Sequence, residues 1–288
     1  MNVLISIISN KPNNVQKFFD NNHSMIEKSS HDITILVNFN NIETIPTDLN
    51  SYGLNIMYKL IPGLIRDGKY YWNESRFRNQ ELVDYDYIHL VDDDVKFLMD
   101  NIDQLYDVVS KELPGFVQVT THRVKSIDIY NSSGIYKFKY ARNKLVKGTS
   151  ISSVFKITAG GHMLSRKFVD DHLDELLKFN VFNEDTYRCY VALKYDELYR
   201  TKFYTGLSEY NSKSYNSYEK LESLLRFREL GIPVSVGFTN SITPLVTISD
   251  TLDKVDDLVY SEKKSDSKYP SLITKYLKYL NDTKISYR

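Results

Sequence analysis

Tyr87-Ile88-His89-Leu90-Val91-Asp92-Asp93-Asp94-Val95 joins an apolar run directly to three carboxylates. The run predicts a buried strand of an open α/β sheet, which places the acids at the carboxyl edge of that sheet. Carboxylate oxygens suit Mg²⁺ or Mn²⁺, and a cation at this edge can bind a diphosphate. Strand alternation, if it continues, directs Asp92 and Asp94 to one side and Asp93 to the other. The alternative interpretation is a helix N-terminus, because aspartate caps helices and interacts favourably with the helix dipole.

Apolar runs with the composition of covered strands recur along the chain and alternate with helical periodicities. The predicted strands are residues 3–8, 33–37, 54–60, 87–91, 116–121 and 199–204. The predicted helices are residues 12–27, 70–83, 101–113, 167–179 and 184–198. Strands separated by helices in this way indicate an α/β fold with an open, mostly parallel sheet and helices on both faces. In the C-terminal part, strands are predicted at 234–238 and 242–248, and helices at 218–230 and 271–280.

The composition is that of a globular protein, and it excludes several classes of function. The 37 basic and 37 acidic residues among the 288 leave a net charge of zero, so overall charge does not bind nucleic acid or a membrane. The one cysteine, Cys189, excludes a disulfide framework and a cysteine-based zinc site, and it is compatible with a reducing compartment.

The N-terminus begins in a strand pattern rather than a signal sequence, and no stretch approaches the roughly 20 apolar residues of a membrane span. We therefore expect a cytoplasmic location, in a bacterium or a virus-infected host cell.

Residues 116–167 are strongly basic within this neutral chain. Ten lysines and arginines accompany one acid, Asp128, which leaves nine positive charges. Such clustering favours a surface for an anionic partner, although a dispersed solvated face is the plainer interpretation. Alternation in residues 136–140 would align Lys137 and Lys139 on one face of a strand or hairpin.

Two later segments carry further candidate site residues. Gly160 and Gly161 precede a short strand, and a glycine pair either permits close approach of the backbone to a ligand or makes a tight turn. Glu184 and Asp185 open a helix, where acids favour the helix dipole and Asn183 can cap the terminus. A carboxylate at a helix start beside a cleft is also a candidate general base.

Four motifs, in this order, resemble the GT-A-fold nucleotide-sugar glycosyltransferases, and in particular glycosyltransferase family 2. The opening strand, residues 3–9, is where that family begins its nucleotide-binding half. Arg76-Phe77-Arg78-Asn79 resembles the family's Arg-Asn pair near the donor, and Val91-Asp92-Asp93-Asp94 resembles its metal and diphosphate motif. Residues 159–166 and 184–188 are similar to its acceptor-side glycine segment and its Glu-Asp motif.

The resemblance implies an enzyme that moves a sugar from a nucleoside-diphosphate sugar to an acceptor hydroxyl. Asp94, with Asp92, would hold Mn²⁺ or Mg²⁺, which neutralises the charge of the departing diphosphate. The resemblance implies that Arg78 lies near the diphosphate. The alternative interpretation is that Arg78, as an arginine on an amphipathic helix, is simply solvated or salt-bridged. The residues implied to bind the donor are Arg78, Asn79, Asp92, Asp93 and Arg188.

On the acceptor side, the resemblance implies that Asp185 deprotonates the acceptor hydroxyl, with Glu184 as the second candidate, and that the reaction inverts the anomeric centre. Arg188, one turn later, would hold this base in place or join the diphosphate site. A satisfied core position is the favoured interpretation of His162, which could otherwise touch the acceptor. The acceptor contacts implied are Gly160, Gly161 and His162.

The sequence departs from the family pattern at three places. Asn38-Phe39-Asn40 occupies the position where the family often has an aspartate that reads uracil, which leaves the nucleotide open. No histidine follows His172 in the sequence to act as a late metal ligand. The sequence after residue 199 has no counterpart in the family pattern.

The predicted catalytic domain is residues 1–205, and it comprises two halves. Residues 1–100 are predicted to bind the nucleotide sugar and the metal, and residues 101–205 the acceptor. Residues 206–288 are predicted to form a C-terminal extension that packs on the same domain.

The basic segment makes two anionic acceptors candidates. One is DNA that bears hydroxymethylated pyrimidines, as phage-type glycosyltransferases modify it, and the other is a cell-surface glycan or its lipid-linked precursor. A neutral glycan or a protein is the commonest acceptor in the wider class.

Two other functions share part of the pattern. A nucleotidyltransferase would have the same sheet and the same acids, but residues 9–13 lack the glycine-rich loop that such enzymes place after the first strand. A non-catalytic module that binds sugar or nucleic acid would bind without metal and would tolerate the loss of Asp185.

Overall fold

The fold is an α/β sheet covered by helices, seen here in a computed structural model. The structure describes residues 1–67, 69–97, 102–120, 144–148, 161–178, 180, 184–202, 205–207, 237–238 and 246–247. The strands are β1 Asn2–Ser9, β2 Asp32–Phe39, β3 Ile56–Leu60, β4 Ile65–Arg66, β5 Lys69–Tyr70, β6 Tyr87–Asp92, β7 Val95–Phe97, β8 Phe116–Thr120, β9 Val146–Lys147, β10 His162–Ser165, β11 Leu198–Lys202, β12 Thr205–Leu207, β13 Gly237–Phe238 and β14 Val246–Thr247. The helices are α1 Pro12–Glu27, α2 Trp72–Phe77, α3 Asp103–Glu112, α4 Arg166–Leu176 and α5 Glu184–Lys194, with a 3-10 turn at Gln80–Leu82.

Eight strands form the main sheet, in the order β3-β2-β1-β6-β10-β8-β11-β9. β3, β2, β1 and β6 run parallel, so their carboxyl ends share one edge. β10 lies antiparallel between β6 and β8, and β8 and β11 run parallel to each other. The carboxyl edge therefore also carries the amino end of β10. The predicted open, mostly parallel α/β sheet is confirmed, and β10 is the short strand predicted after Gly160 and Gly161, although its antiparallel direction was not predicted.

The apolar runs are continuous because helices cover both faces of the sheet. On one face, Ile5 of β1 belongs to a buried cluster with Phe19 of α1 and Tyr106 of α3. On the other face, the adjacent Leu4 belongs to a cluster with Phe168 of α4 and Val191 of α5, together with Phe77 from α2. Adjacent strand residues point to opposite faces, so the covered strands β1, β2 and β6 are apolar at most positions.

The acidic triplet is neither a continued strand nor a helix start. β6 ends at Asp92, and Asp93 and Asp94 form a turn into β7. β7 then pairs antiparallel with β12. Strand alternation therefore stops before Asp94, and the alternative prediction of a helix N-terminus is wrong.

The helix predicted over residues 70–83 is wrong in its length. α2 ends at Phe77, Arg78 is extended, and Asn79 has a φ of 64° in the left-handed region. Asparagine adopts that region more readily than most residues, and its side-chain Nδ2 donates here to Oδ1 of Asn38 at 3.4 Å. The early stop leaves Arg76 in the last turn of α2.

The start of α5 lies at the carboxyl edge of the sheet. The helix predicted to reach residue 198 ends at Lys194, because Asp196 turns the chain with a φ of 60° and Leu198 begins β11. β11 runs parallel to β8, and therefore to β6, so the helix that leads into it must run from the carboxyl edge to the opposite edge. Glu184 and Asp185 consequently begin α5 beside the carboxyl ends of the strands.

Several predictions fall outside the described residues. They are the alternation at 136–140, Gly160, the Asn183 cap and the helices at 218–230 and 271–280. β13 and β14 pair antiparallel and lie within the strands predicted at 234–238 and 242–248.

Candidate active site

The acidic stretch lies at the topological switch point of the sheet, where successive strands change from one side of β1 to the other. From β1 the chain moves to β2 and β3 on one side, and it returns to β6 on the other. Ile8, near the end of β1, is in register with Asp92 at the end of β6. In open α/β sheets, ligands bind in the crevice outside such a switch point.

Arg76 binds the end of β6, and its charge also interacts with the acids that begin α5. Its Nη1 donates to the carbonyl oxygen of Val91 at 2.8 Å, and its Nη2 donates to Oδ1 of Asp92 at 2.6 Å. Burial of the guanidinium lowers its pKa, but the charges of Asp92, Glu184 and Asp185 outweigh burial and raise the pKa overall. The buried charge of Arg76 is therefore stabilised by Asp92 at the end of β6 and by the acids that begin α5.

Asp93 is turned toward the loop that follows β1. It accepts a hydrogen bond from the Ser9 hydroxyl, and the side chain of Asn14 is a second partner. Burial is the main cause of its raised pKa, partly offset by these hydrogen bonds, and the charge of Asp92 adds to the rise. The Ser9 oxygen also accepts from the backbone N–H of Lys11 at 2.9 Å, so Asp93 fixes the geometry of this loop.

Arg188 is the second buried arginine, and it is 1% exposed. Its Nε donates to Nδ1 of His162 at 3.1 Å, its Nη1 donates to Oδ1 of Asn73 at 2.7 Å, and its Nη2 donates to Oδ1 of Asp185. Nη1 also lies 3.7 Å from Oε1 of Glu184. The guanidinium thus joins α2, β10 and α5 around the first turn of α5.

The two acids of α5 differ in their exposure. The side chain of Asp185 is 31% exposed, whereas that of Glu184 is 10% exposed. Burial, with the neighbouring charge of Asp185, raises the pKa of Glu184 to about 7, although Arg188 and Arg76 oppose the rise. Asp185 is therefore the acid that a ligand can reach, and Glu184 is the one that holds a proton near neutral pH.

Comparison with solved structures identifies the fold. A structure of S. aureus TarS residues 1–349 in complex with UDP-GlcNAc is 11% identical, with a TM-score of 0.52 over 98% of this chain and 73% of that one. A longer S. aureus TarS structure is 10% identical, with a TM-score of 0.50 over 97% of this chain and 43% of that one. The fold is GT-A-like. No protein-family model matches the sequence, and no curated protein matches it.

The remaining predicted site residues lie around this GT-A-like edge in different settings. Arg78 is exposed and pairs with Glu74 at 3.0 Å, and Asn79 bonds to Asn38. His162 is fully buried in β10, in the core setting that was the favoured interpretation. Gly161 has a φ of 80°, and a Cβ there would collide with the carbonyl oxygen of Leu90, so its close approach is to the neighbouring strand.

Sequence reasoning missed Asn73 and left Arg76 without a role. Both lie on α2, three residues apart, which places them on one face of the helix. They are 1% and 5% exposed, so this polar pair is on the buried face. The sequence signal that could have found them is a pair of polar residues, three positions apart, on the same helix face as the apolar Phe77.

No group of three or more His, Cys, Asp or Glu side chains within the described residues is arranged to hold a metal ion. None of the helices described here is long and apolar enough to cross a membrane.

Proposed function

We propose that this protein is a glycosyltransferase that moves a sugar from a nucleoside-diphosphate sugar to an acceptor hydroxyl. The observation that carries the proposal is the meeting of two acid groups at the carboxyl edge, Asp92 on β6 and the Glu184–Asp185 pair on α5. Asp92 would hold the cation that offsets the charge of the leaving diphosphate, and the Glu184–Asp185 pair would accept the proton of the attacking hydroxyl. The GT-A-like fold, seen in a TarS structure with UDP-GlcNAc, supports the same function.

Asp92 and Asp94 are the proposed ligands for Mn²⁺ or Mg²⁺. Such a cation needs only one or two protein carboxylates, because water and phosphate oxygens complete its coordination. Arg76 occupies Oδ1 of Asp92, whose side chain is still 39% exposed, so Oδ2 is the oxygen left for a ligand. The Asp92 carboxylate therefore fits one oxygen-ligand position of either cation. When bound, the cation supplies positive charge against the diphosphate.

The chain's own residues position the donor side. Arg76 holds Asp92 and contributes a buried positive charge, so we assign to Arg76 the role that the resemblance implied for Arg78. Asp93 holds the loop after β1 through Ser9. Arg188 already uses its three nitrogens on His162, Asn73 and Asp185, which makes it a support for the base rather than a donor ligand.

Asp185 is the proposed general base. Arg188 occupies its Oδ1, which leaves Oδ2 to accept the proton of the acceptor hydroxyl. As that proton moves to Asp185, the acceptor oxygen forms a bond to the anomeric carbon, and the bond from this carbon to the diphosphate oxygen breaks. Attack opposite the leaving group inverts the anomeric centre.

Glu184 is the second candidate for the base. A pKa of about 7 is well matched to proton transfer near neutral pH. Its side chain is only 10% exposed, however, so an acceptor reaches Asp185 more directly. Separate Glu184→Gln and Asp185→Asn variants distinguish the two assignments.

The charge of the acceptor can be tested by salt. Three of the basic residues of segment 116–167 are already paired with acids: Lys147 with Asp196, Arg166 with Asp170, and Lys167 with Asp171. The described part of that segment therefore lends little support to an anionic acceptor such as modified DNA or an anionic glycan. A steep fall of the transfer rate with added salt would favour one, and a rate independent of salt would favour a neutral glycan or protein.

A thermal-shift screen of nucleoside diphosphates, with and without Mn²⁺, tests the proposed function. We expect a matching nucleotide at 100 times its dissociation constant to stabilise the protein by about 2.7 kcal/mol. That stabilisation should need Mn²⁺ and disappear in Asp94→Asn, while the exposed Asp84→Asn control retains it. Stabilisation without metal would contradict the metal site, and no response to any nucleotide would contradict the function.

A further inference from the structure

The setting of Arg188 makes its orientation depend on partners outside its own helix. A guanidinium has five N–H donors in a rigid planar fork, and removing it from water is costly unless those donors are bonded. Asn73 and His162 come from α2 and β10, so they fix the plane of the fork independently of α5. The direction in which Nη2 meets Asp185 then follows from the other two bonds.

His162 can serve as this partner only in one protonation state. Arginine Nε always carries a hydrogen, so Nδ1 of His162 must accept, and the ring proton must be on Nε2. Nε2 lies 3.6 Å from Sγ of Cys189. Burial, reinforced by the positive charges of Arg188 and Arg76, holds the pKa of His162 well below its ordinary value. The neutral acceptor form is therefore the stable one.

The backbone of His162 is also held on both sides. It pairs with Leu90 of β6 and with Gln118 of β8, and the ring packs 4.9 Å from that of Phe116. The preceding Gly161 lies against the carbonyl oxygen of Leu90. His162 thus gives Arg188 a fixed reference point in the sheet.

We propose that His162 is a positioning residue, which orients the Asp185 carboxylate through Arg188. This inference rests on the proposed function, in which Asp185 is the base. It assigns His162 a role different from the acceptor contact that the resemblance implied. Misplacement of a catalytic group by about 1 Å can lower turnover on the order of 100-fold.

The test compares two amides at position 162. In His162→Asn the amide oxygen can take the place of Nδ1, whereas in His162→Gln the longer side chain carries its oxygen toward the Nε2 position. We expect His162→Asn to keep most of the wild-type kcat for transfer, and His162→Gln to lose about 10- to 100-fold in kcat. KM for the donor should be unchanged in both. Equal kcat values for the two folded variants would overturn the inference.

His89 provides the matched control. It is a fully buried histidine on the adjacent strand β6, but its Nδ1 contacts the Tyr106 hydroxyl at 3.0 Å rather than an arginine. His89→Asn and His89→Gln should lower stability without a difference in kcat between them. If wild-type protein transfers no sugar from any nucleoside-diphosphate donor, the proposed function itself fails. Transfer by the wild type with no difference at position 162 overturns only the positioning role.

Discussion

At the scale of single residues, the ionisation of Glu184 makes the folding stability depend on pH. Burial, together with the charge of Asp185, raises its pKa from 4.5 to about 7. Between these values the folded protein holds a proton that the unfolded chain has lost. The stability that this proton provides is complete below pH 4.5, and it is lost as the pH rises through 7.

Glu184→Gln should remove this pH dependence, because glutamine stays neutral. We expect the difference between its free energy of unfolding and that of the wild type to grow from pH 4.5 to pH 7, and to reach about 3 kcal/mol in favour of the variant. Urea unfolding at several pH values measures the difference. The exposed Glu112→Gln is the control and should follow the wild type. Parallel curves for Glu184→Gln and wild type would contradict the assignment.

The two arginines near the end of α2 should behave differently. Arg76 is buried, donates to the carbonyl oxygen of Val91 and forms an ion pair with Asp92, whereas Arg78 is exposed and pairs with Glu74. We expect Arg76→Ala to cost roughly 2–4 kcal/mol of stability and to lower transfer at least about tenfold. Arg78→Ala should cost less than about 1 kcal/mol, since surface ion pairs contribute little. Unfolding and transfer assays measure both, and a larger effect at Arg78 would restore the prediction from the resemblance.

At the scale of elements, Gly161 fixes how closely β10 approaches β6. Gly161 and Gly53 have nearly the same φ, 80° and 78°, but a Cβ at Gly53 would meet nothing within 4 Å. Gly53→Ala should therefore cost only the backbone strain, about 1–2 kcal/mol. Gly161→Ala should cost about 1–3 kcal/mol more, because its Cβ meets the carbonyl oxygen of Leu90. Thermal unfolding measures both losses of stability. Equal losses for Gly53→Ala and Gly161→Ala would contradict a role for the close approach of Gly161 to Leu90.

The covered strands were the most predictable elements. β1, β2 and β6 match their predicted spans within two residues at each end, because burial on both faces imposes a continuous apolar run. The ends of α2 and α5 were not predictable, since each is set by a left-handed turn at Asn79 or Asp196. Hydrophobic periodicity carries no signal for such turns.

At the scale of the whole molecule, the candidate site draws on segments far apart in the chain. Asp92 and Asp185 were singled out because acids at strand and helix ends are visible in sequence. The contact of Asn73 with Arg188 spans 115 residues and depends on where α2 and α5 pack, so no local pattern reveals it. The positions of these acids at strand and helix ends were therefore predictable from the sequence, whereas the contacts of the buried arginines required the fold.

We propose that the acids of β6 and those of α5 serve the two sides of one transfer reaction. Asp185→Asn tests it most directly, when donor binding and sugar transfer are measured on the same preparation. Stabilisation by a nucleoside diphosphate with Mn²⁺ should stay at the wild-type level, while transfer falls by about 10²- to 10⁴-fold, the usual contribution of a general base. Transfer at the wild-type rate by the folded Asp185→Asn variant would contradict the claim.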